Sequence, residues 1–99
     1  MIHEIATLTV NPNQAASFEA AVAKARPLFL ESPNCLSFSL DRVIEASGTY
    51  CLVVGWTSVQ AHIETFRESE NFQKWRELVS PFFAKQPVVI HTERVTKWA

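Results

Sequence analysis

Glycine is almost missing from this chain: Gly48 and Gly55 are the only two in 99 residues. No glycine-rich loop is therefore available to cradle a dinucleotide or a triphosphate. Cysteine is equally scarce. Cys35 and Cys51, in a chain without a visible export signal, favour free thiols in a reducing compartment over a disulfide framework. The opening Met1-Ile2-His3-Glu4 lacks the basic stretch and apolar run of a signal peptide. No apolar run approaches the roughly 20 residues that span a bilayer, so neither a membrane partner nor a membrane location is expected, and cytoplasmic is the default. Charge of one sign is missing too. The formal net charge is −1, with lysines and arginines scattered, which leaves no electrostatic footprint for nucleic acid. No serine stands in a nucleophile-elbow context, which argues against hydrolysis. His3, His62 and His91 lack metal-ligand spacing, so no metal is expected.

What the chain does have is apolar mass, at 47 % of residues, enough for one core and one domain over residues 1–99. Its densest stretch runs from Tyr50 to His62. Tyr50 to Trp56 reads as a strand buried on both faces. Thr57 or Ser58 then caps a helix, with Gln60 completing a possible capping box after Thr57. His62, which titrates near neutral pH, opens that helix beside Trp56. A large ring, a hydroxyl and an imidazole thus gather where strand becomes helix.

Around this stretch the chain alternates strands and helices. Ile2 to Val10 reads as a strand, with Ile2, Ala6, Leu8 and Val10 on one side against Ile5, Thr7 and Thr9. Asn11-Pro12-Asn13-Gln14 is a helix start. Phe18, Ala21, Val22, Ala25, Leu28 and Phe29 follow at helical spacing, and Pro27 predicts a kink or an early end near Arg26. Cys35 to Glu45 alternates with period two, placing Leu36, Phe38, Leu40 and Arg42 on one face. A three-residue Ala46-Ser47-Gly48 loop, with Gly48 left-handed, would set Phe38 opposite Trp56 and Arg42 opposite Leu52. Ser69 caps a second helical segment carrying Phe72, Trp75, Leu78, Val79 and Phe82, and Val88 to Trp98 reads as a long last strand. The order β-α-β-β-α-β, with helices on one face of an antiparallel sheet, is ferredoxin-like α+β. The other face, with Ser37, Val53 and Gly55 at its centre, is neither polar nor covered, so a second copy is expected there: a homodimer.

The layout resembles the antibiotic-biosynthesis-monooxygenase-like family of the dimeric α+β barrel superfamily. The resemblance rests on Leu8-Thr9-Val10 before Asn11-Pro12, on Cys35-Leu36-Ser37-Phe38, and above all on Trp56-x-Ser58-x-x-Ala61-His62 with Ser69-x-x-Phe72 following. It covers nearly the whole chain. It implies a dimeric barrel and a small aromatic or carbonyl substrate held between the helices and the sheet of one protomer. It also implies oxygenation of quinols or anthrones without flavin or metal, the electron-rich anion reacting with dioxygen directly. Members also include isomerases. The heme-degrading branch carries an asparagine on the first strand and an axial histidine after the helix phenylalanine. Ala6 and Arg76 stand at those places here, which argues against heme chemistry. Many relatives place a histidine further along the helix, where this chain has Thr65 or Phe66; His62 lies one turn earlier.

The expected activity is therefore that of a cofactor-independent monooxygenase for a small aromatic quinol or phenol, with dioxygen as co-substrate. His62 is the candidate base, set against a bland reading as a core histidine. Phe38, Arg42, Trp56, Phe66 and Trp75 are the candidate pocket. Arg42 would orient an anion or simply reach water, and each aromatic ring could be core alone. His3 and His91 fall on neighbouring strands, where they could approach each other. Two alternatives stay open: isomerisation or breakdown of a small hydroxy-carbonyl compound, and a non-catalytic ligand-binding dimer.

Overall fold

Alternation along the first strand decides which side of the sheet becomes core. In β1 (Ile2–Thr9) the side chains of Glu4, Ala6 and Leu8 are buried, and the residues between them are half-buried. The computed structural model describes residues 1–98; Ala99, the last residue of the expected domain, lies outside the described residues. The remaining elements are α1 (Ala15–Leu30), β2 (Cys35–Arg42), β3 (Thr49–Trp56), α2 (Glu70–Val79) and β4 (Val88–Glu93). Short 3₁₀ turns at Pro12–Gln14 and Ser80–Phe82 and a π-helical turn at Ala61–Phe66 complete the set. The strands form one antiparallel sheet in the order β2-β3-β1-β4. Both long helices pack on one face of it, over a core that includes Phe18, Phe29, Tyr50, Val54, Trp56 and Val79. This is the ferredoxin-like α+β arrangement.

Four local expectations are corrected. The β2–β3 register is offset by two residues: Phe38 faces Val54 and Arg42 faces Tyr50, so Cys51 faces Asp41. An offset of two preserves the faces, because side chains alternate with period two. The loop is correspondingly longer, β2 ending at Arg42 and β3 beginning at Thr49. Gly48 does adopt a positive φ, of 83°, and a β-carbon there would collide with the Val10 carbonyl oxygen. A bulge between Cys35 and Ser37 turns Leu36 outward, where it is exposed rather than inner. Helix α1 runs through Pro27 to Leu30. A mid-helix proline costs about 3 kcal/mol, and the turn beyond it is held by Phe29, which packs on Phe38, Phe66 and Trp75 at ring separations of 4.6, 4.6 and 5.0 Å. Finally, β4 stops at Glu93, and residues 94–98 have no regular structure.

The outer face presents three rows across the strands: Ser37–Gly55–His3–Thr92, Ser39–Val53–Ile5–Ile90 and Asp41–Cys51–Thr7–Val88. Ile90 and Val88 are exposed to 54 % and 61 %. No helix among the described residues is long and apolar enough to cross a membrane.

Candidate active site

Position 4 breaks the apolar stripe of β1 with a carboxylate. Glu4 points to the core side and is only 6 % exposed. Trp56, at the end of the neighbouring β3 and itself fully buried, donates its Nε1–H to Glu4 Oε1 at 3.0 Å. The chain then leaves the sheet. Ser58 Oγ accepts from the Ala61 backbone N–H at 3.1 Å, so Ser58, not the Thr57–Gln60 pair, caps the following helix. That helix widens into the π turn, the Arg67 N–H bonding the His62 carbonyl five residues back at 3.0 Å. His62 lies against Trp56, ring centroids 5.4 Å apart and planes 15° from parallel. Its Nε2 reaches to 3.2 Å from Glu4 Oε1, and its Nδ1 lies 2.8 Å from His91 Nε2. His91 comes from β4, directly opposite Glu4 in the register.

Oε1 already accepts from Trp56, and a carboxylate oxygen only accepts. With Glu4 ionised, the tautomer of His62 that suits both its neighbours carries its proton on Nε2, facing Glu4, and accepts at Nδ1 from His91 Nε2–H. Both of its ring nitrogens are engaged. Burial, with Arg67 and His91 nearby, pushes its pKa from 6.5 down to about 4. Burial acts oppositely on Glu4, raising its carboxyl pKa, while the Trp56 hydrogen bond and Arg67 temper the rise. Both contacts of Glu4 fall on Oε1. No buried side-chain oxygen among the described residues lacks a partner, so Oε2 is the oxygen left open to the space beside it.

That space is a cavity of about 310 Å³ between the sheet and α2, at the small end of the roughly 300–1,000 Å³ typical of ligand pockets. Glu4 and His62 form one side, with Ala6, Leu8 and Leu52 as an apolar floor. Phe72, Trp75 and Arg76 of α2 face them, and Arg67 joins from the end of the π turn.

Of the expected site residues, His62 and Trp75 line this cavity and the other four do not. Trp56 stands behind His62 and holds Glu4. Phe66 is core, in contact with Phe29 and Trp56. Phe38 packs on Phe29. Arg42, at the exposed end of β2, donates to Glu19 Oε2 at 2.9 Å, and the same oxygen accepts from the Tyr50 hydroxyl. A nearby carboxylate thus occupies the guanidinium expected to meet an anion. His3 does not approach His91; it lies on the outer face beside Thr92. The sequence reading also missed Glu4, His91, Arg67 and Arg76. The overlooked signal was Glu4 itself, an acidic residue in phase with Ile2, Ala6, Leu8 and Val10.

The pattern of the antibiotic biosynthesis monooxygenases matches residues 1–78. The chain belongs to that family. It is 30 % identical over 95 residues to the uncharacterised protein YczJ of Bacillus subtilis, covering 96 % of this chain and 100 % of that one. It is 47 % identical to a Bordetella bronchiseptica protein solved as a candidate antibiotic biosynthesis monooxygenase, with 96 % and 97 % of the two chains covered and a TM-score of 0.92. SnoaB of Streptomyces nogalater, a cofactor-independent oxygenase, shares the fold at a TM-score of 0.81 over 98 % and 95 % of the chains. At 16 % identity that likeness speaks for the fold alone.

Proposed function

We propose that this family member is a cofactor-independent monooxygenase of a small aromatic quinol or phenol, with Glu4 as its proton-transfer group. The observation that carries the reading is a buried carboxylate with one oxygen fixed and the other facing a ring-sized cavity with an apolar floor. Burying a carboxyl group costs stability unless something compensates, and a raised carboxyl pKa suits a base working near neutrality. In this reading Oε2 takes the proton of a substrate hydroxyl. A carbon of the electron-rich ring then bonds dioxygen, and Glu4 returns its proton to the resulting peroxide. Loss of the ring C–H proton with cleavage of the O–O bond releases water and leaves a quinone carbonyl. His62 enters as the group that positions Glu4, because its two engaged nitrogens and low pKa make it a poor base at pH 7. Trp56 fixes the carboxylate, and Trp75 and Phe72 supply the ring wall. Two protomers would pair through the outer face centred on Ile5, Val53 and Ile90, which is apolar and uncovered.

The test is Glu4→Gln, which keeps the shape and the acceptor for Trp56 but cannot take a proton. Oxygen uptake with a panel of quinols should fall by roughly 10² to 10⁴, while the thermal unfolding midpoint holds or rises. Turnover within a few-fold of the parent would remove Glu4 from the chemistry. No uptake by the parent with any quinol would remove the monooxygenase reading itself.

A further inference from the structure

Among the charged groups lining the cavity, the cations outnumber the acids. Arg67 and Arg76 both border it, and the only acid on its wall is Glu4, whose Oε1 is already engaged by Trp56 and His62. Each guanidinium comes from a different helical element, Arg67 following the π turn and Arg76 inside α2. Neither is committed elsewhere. The ion pairs among the described residues are Arg42–Glu19 and His62–Glu4, so no carboxylate lies within pairing distance of Arg67 or Arg76. Along α2, the places one turn either side of Arg76 hold Phe72, Gln73, Val79 and Ser80, none of them acidic. Two guanidiniums without an acidic partner, both on the lining of one cavity, supply the planar donor groups that recognise a carboxylate.

We propose that the ligand of this cavity is a hydroxyaryl carboxylate, its ring against Trp75 and Phe72, its hydroxyl at Glu4 Oε2 and its carboxylate held by Arg67 and Arg76. The inference names the substrate class of the site proposed above and rests on that site being where ligand binds. It also relocates the anion-binding group from Arg42, on the far strand, to the helical side of the cavity.

Calorimetric titration under nitrogen, at low salt, with three ring probes tests it apart from any turnover. Gentisate carries the carboxylate, gentisamide keeps its size and hydrogen-bonding outline without the charge, and hydroquinone lacks the substituent. Gentisate should bind on the order of tenfold more tightly than gentisamide for each arginine engaged, with the preference shrinking as salt rises. Arg67→Gln and Arg76→Gln should each remove a large part of that preference, weakening gentisate far more than gentisamide; both sites are exposed, so folding is not at stake. Equal affinity for gentisate and gentisamide, a preference that survives in the double variant, or no binding of any probe would overturn the assignment. Oxygen uptake is read separately. Discrimination without uptake sinks the monooxygenase reading and keeps the carboxylate site, whereas uptake of hydroquinone with no preference for gentisate does the reverse.

Discussion

Acidifying the protein from neutral pH should weaken its fold through one residue, His62. The imidazole is 2 % exposed, and burial, with Arg67 and His91 alongside, moves its pKa from 6.5 to about 4. Between those two values the unfolded chain binds a proton that the folded chain refuses. Stability therefore rises with pH across that window; the contribution is complete above pH 6.5 and is lost as pH falls toward 4. At about 1.36 kcal/mol per pH unit, the gap corresponds to about 3 kcal/mol, a large share of the 5–15 kcal/mol that holds a typical domain. Glu4 works in the opposite direction. Its folded pKa is raised, so its contribution is present below the unfolded value of 4.5 and is lost as pH rises through the folded one. The assay is urea unfolding from about pH 7.5 to about 4 on the parent, His62→Gln and Glu4→Gln, with only the pH slope compared. Other carboxylates titrate alike in all three and cancel. The slope should flatten in His62→Gln and steepen in Glu4→Gln, since the latter loses the carboxyl group that opposes His62. Parallel curves for the parent and His62→Gln would refute the neutral, doubly bonded imidazole and the proton pattern built on it.

Placing a charge on the outer face by Val53→Arg should convert a dimer to monomer or aggregate; an unchanged sedimentation coefficient would show that this face is not the interface. Cys35 and Cys51 are free and, with Cys51 facing Asp41, stand six strand positions apart, roughly 20 Å at about 3.4 Å per residue. Thiol titration of the denatured, unreduced protein should find two per chain, and in the native state Cys35 should react slowly because burial raises its pKa. Gly48→Ala should cost about 1–3 kcal/mol, since it forces a side chain onto a positive φ and a β-carbon onto the Val10 carbonyl; an unchanged denaturation midpoint would contradict the loop geometry.

The sequence exposed the fold more fully than the site, for reasons that can be traced. Strand faces follow from parity, so a β2–β3 register off by two still places Phe38, Leu40 and Val54 inward. A bulge leaves no mark in alternation, so Leu36 reads as an inner residue although it faces out. Pro27 suggests a helix end from local rules, whereas the α1 terminus is decided by aromatic partners up to 46 residues away in the chain. Trp56 and His62 were visible as neighbours because they are six residues apart. Glu4 meets Trp56 across 52 residues of chain, and His91 meets His62 across 29. No spacing rule reports contacts of that length. An acidic residue on a strand reads as a solvated position until the sheet order sets it beneath the helices.

The widened turn at Ala61–Phe66 gives the site a place where chain length can change at little cost. Its five-residue hydrogen bond, from the Arg67 N–H to the His62 carbonyl, takes up one residue more than an α-helical turn would. Deleting a single residue after His62, Thr65 for instance, would let the backbone relax to ordinary winding. Four α-helical steps of roughly 100° bring Arg67 round to nearly the direction that five wider steps give it now. Helix α2 starts afresh at its own Ser69 cap, so Phe72, Trp75 and Arg76 would keep their wall of the cavity. The extra residue is thus absorbed inside the turn, between the proton-transfer group on the sheet and the helix that faces it.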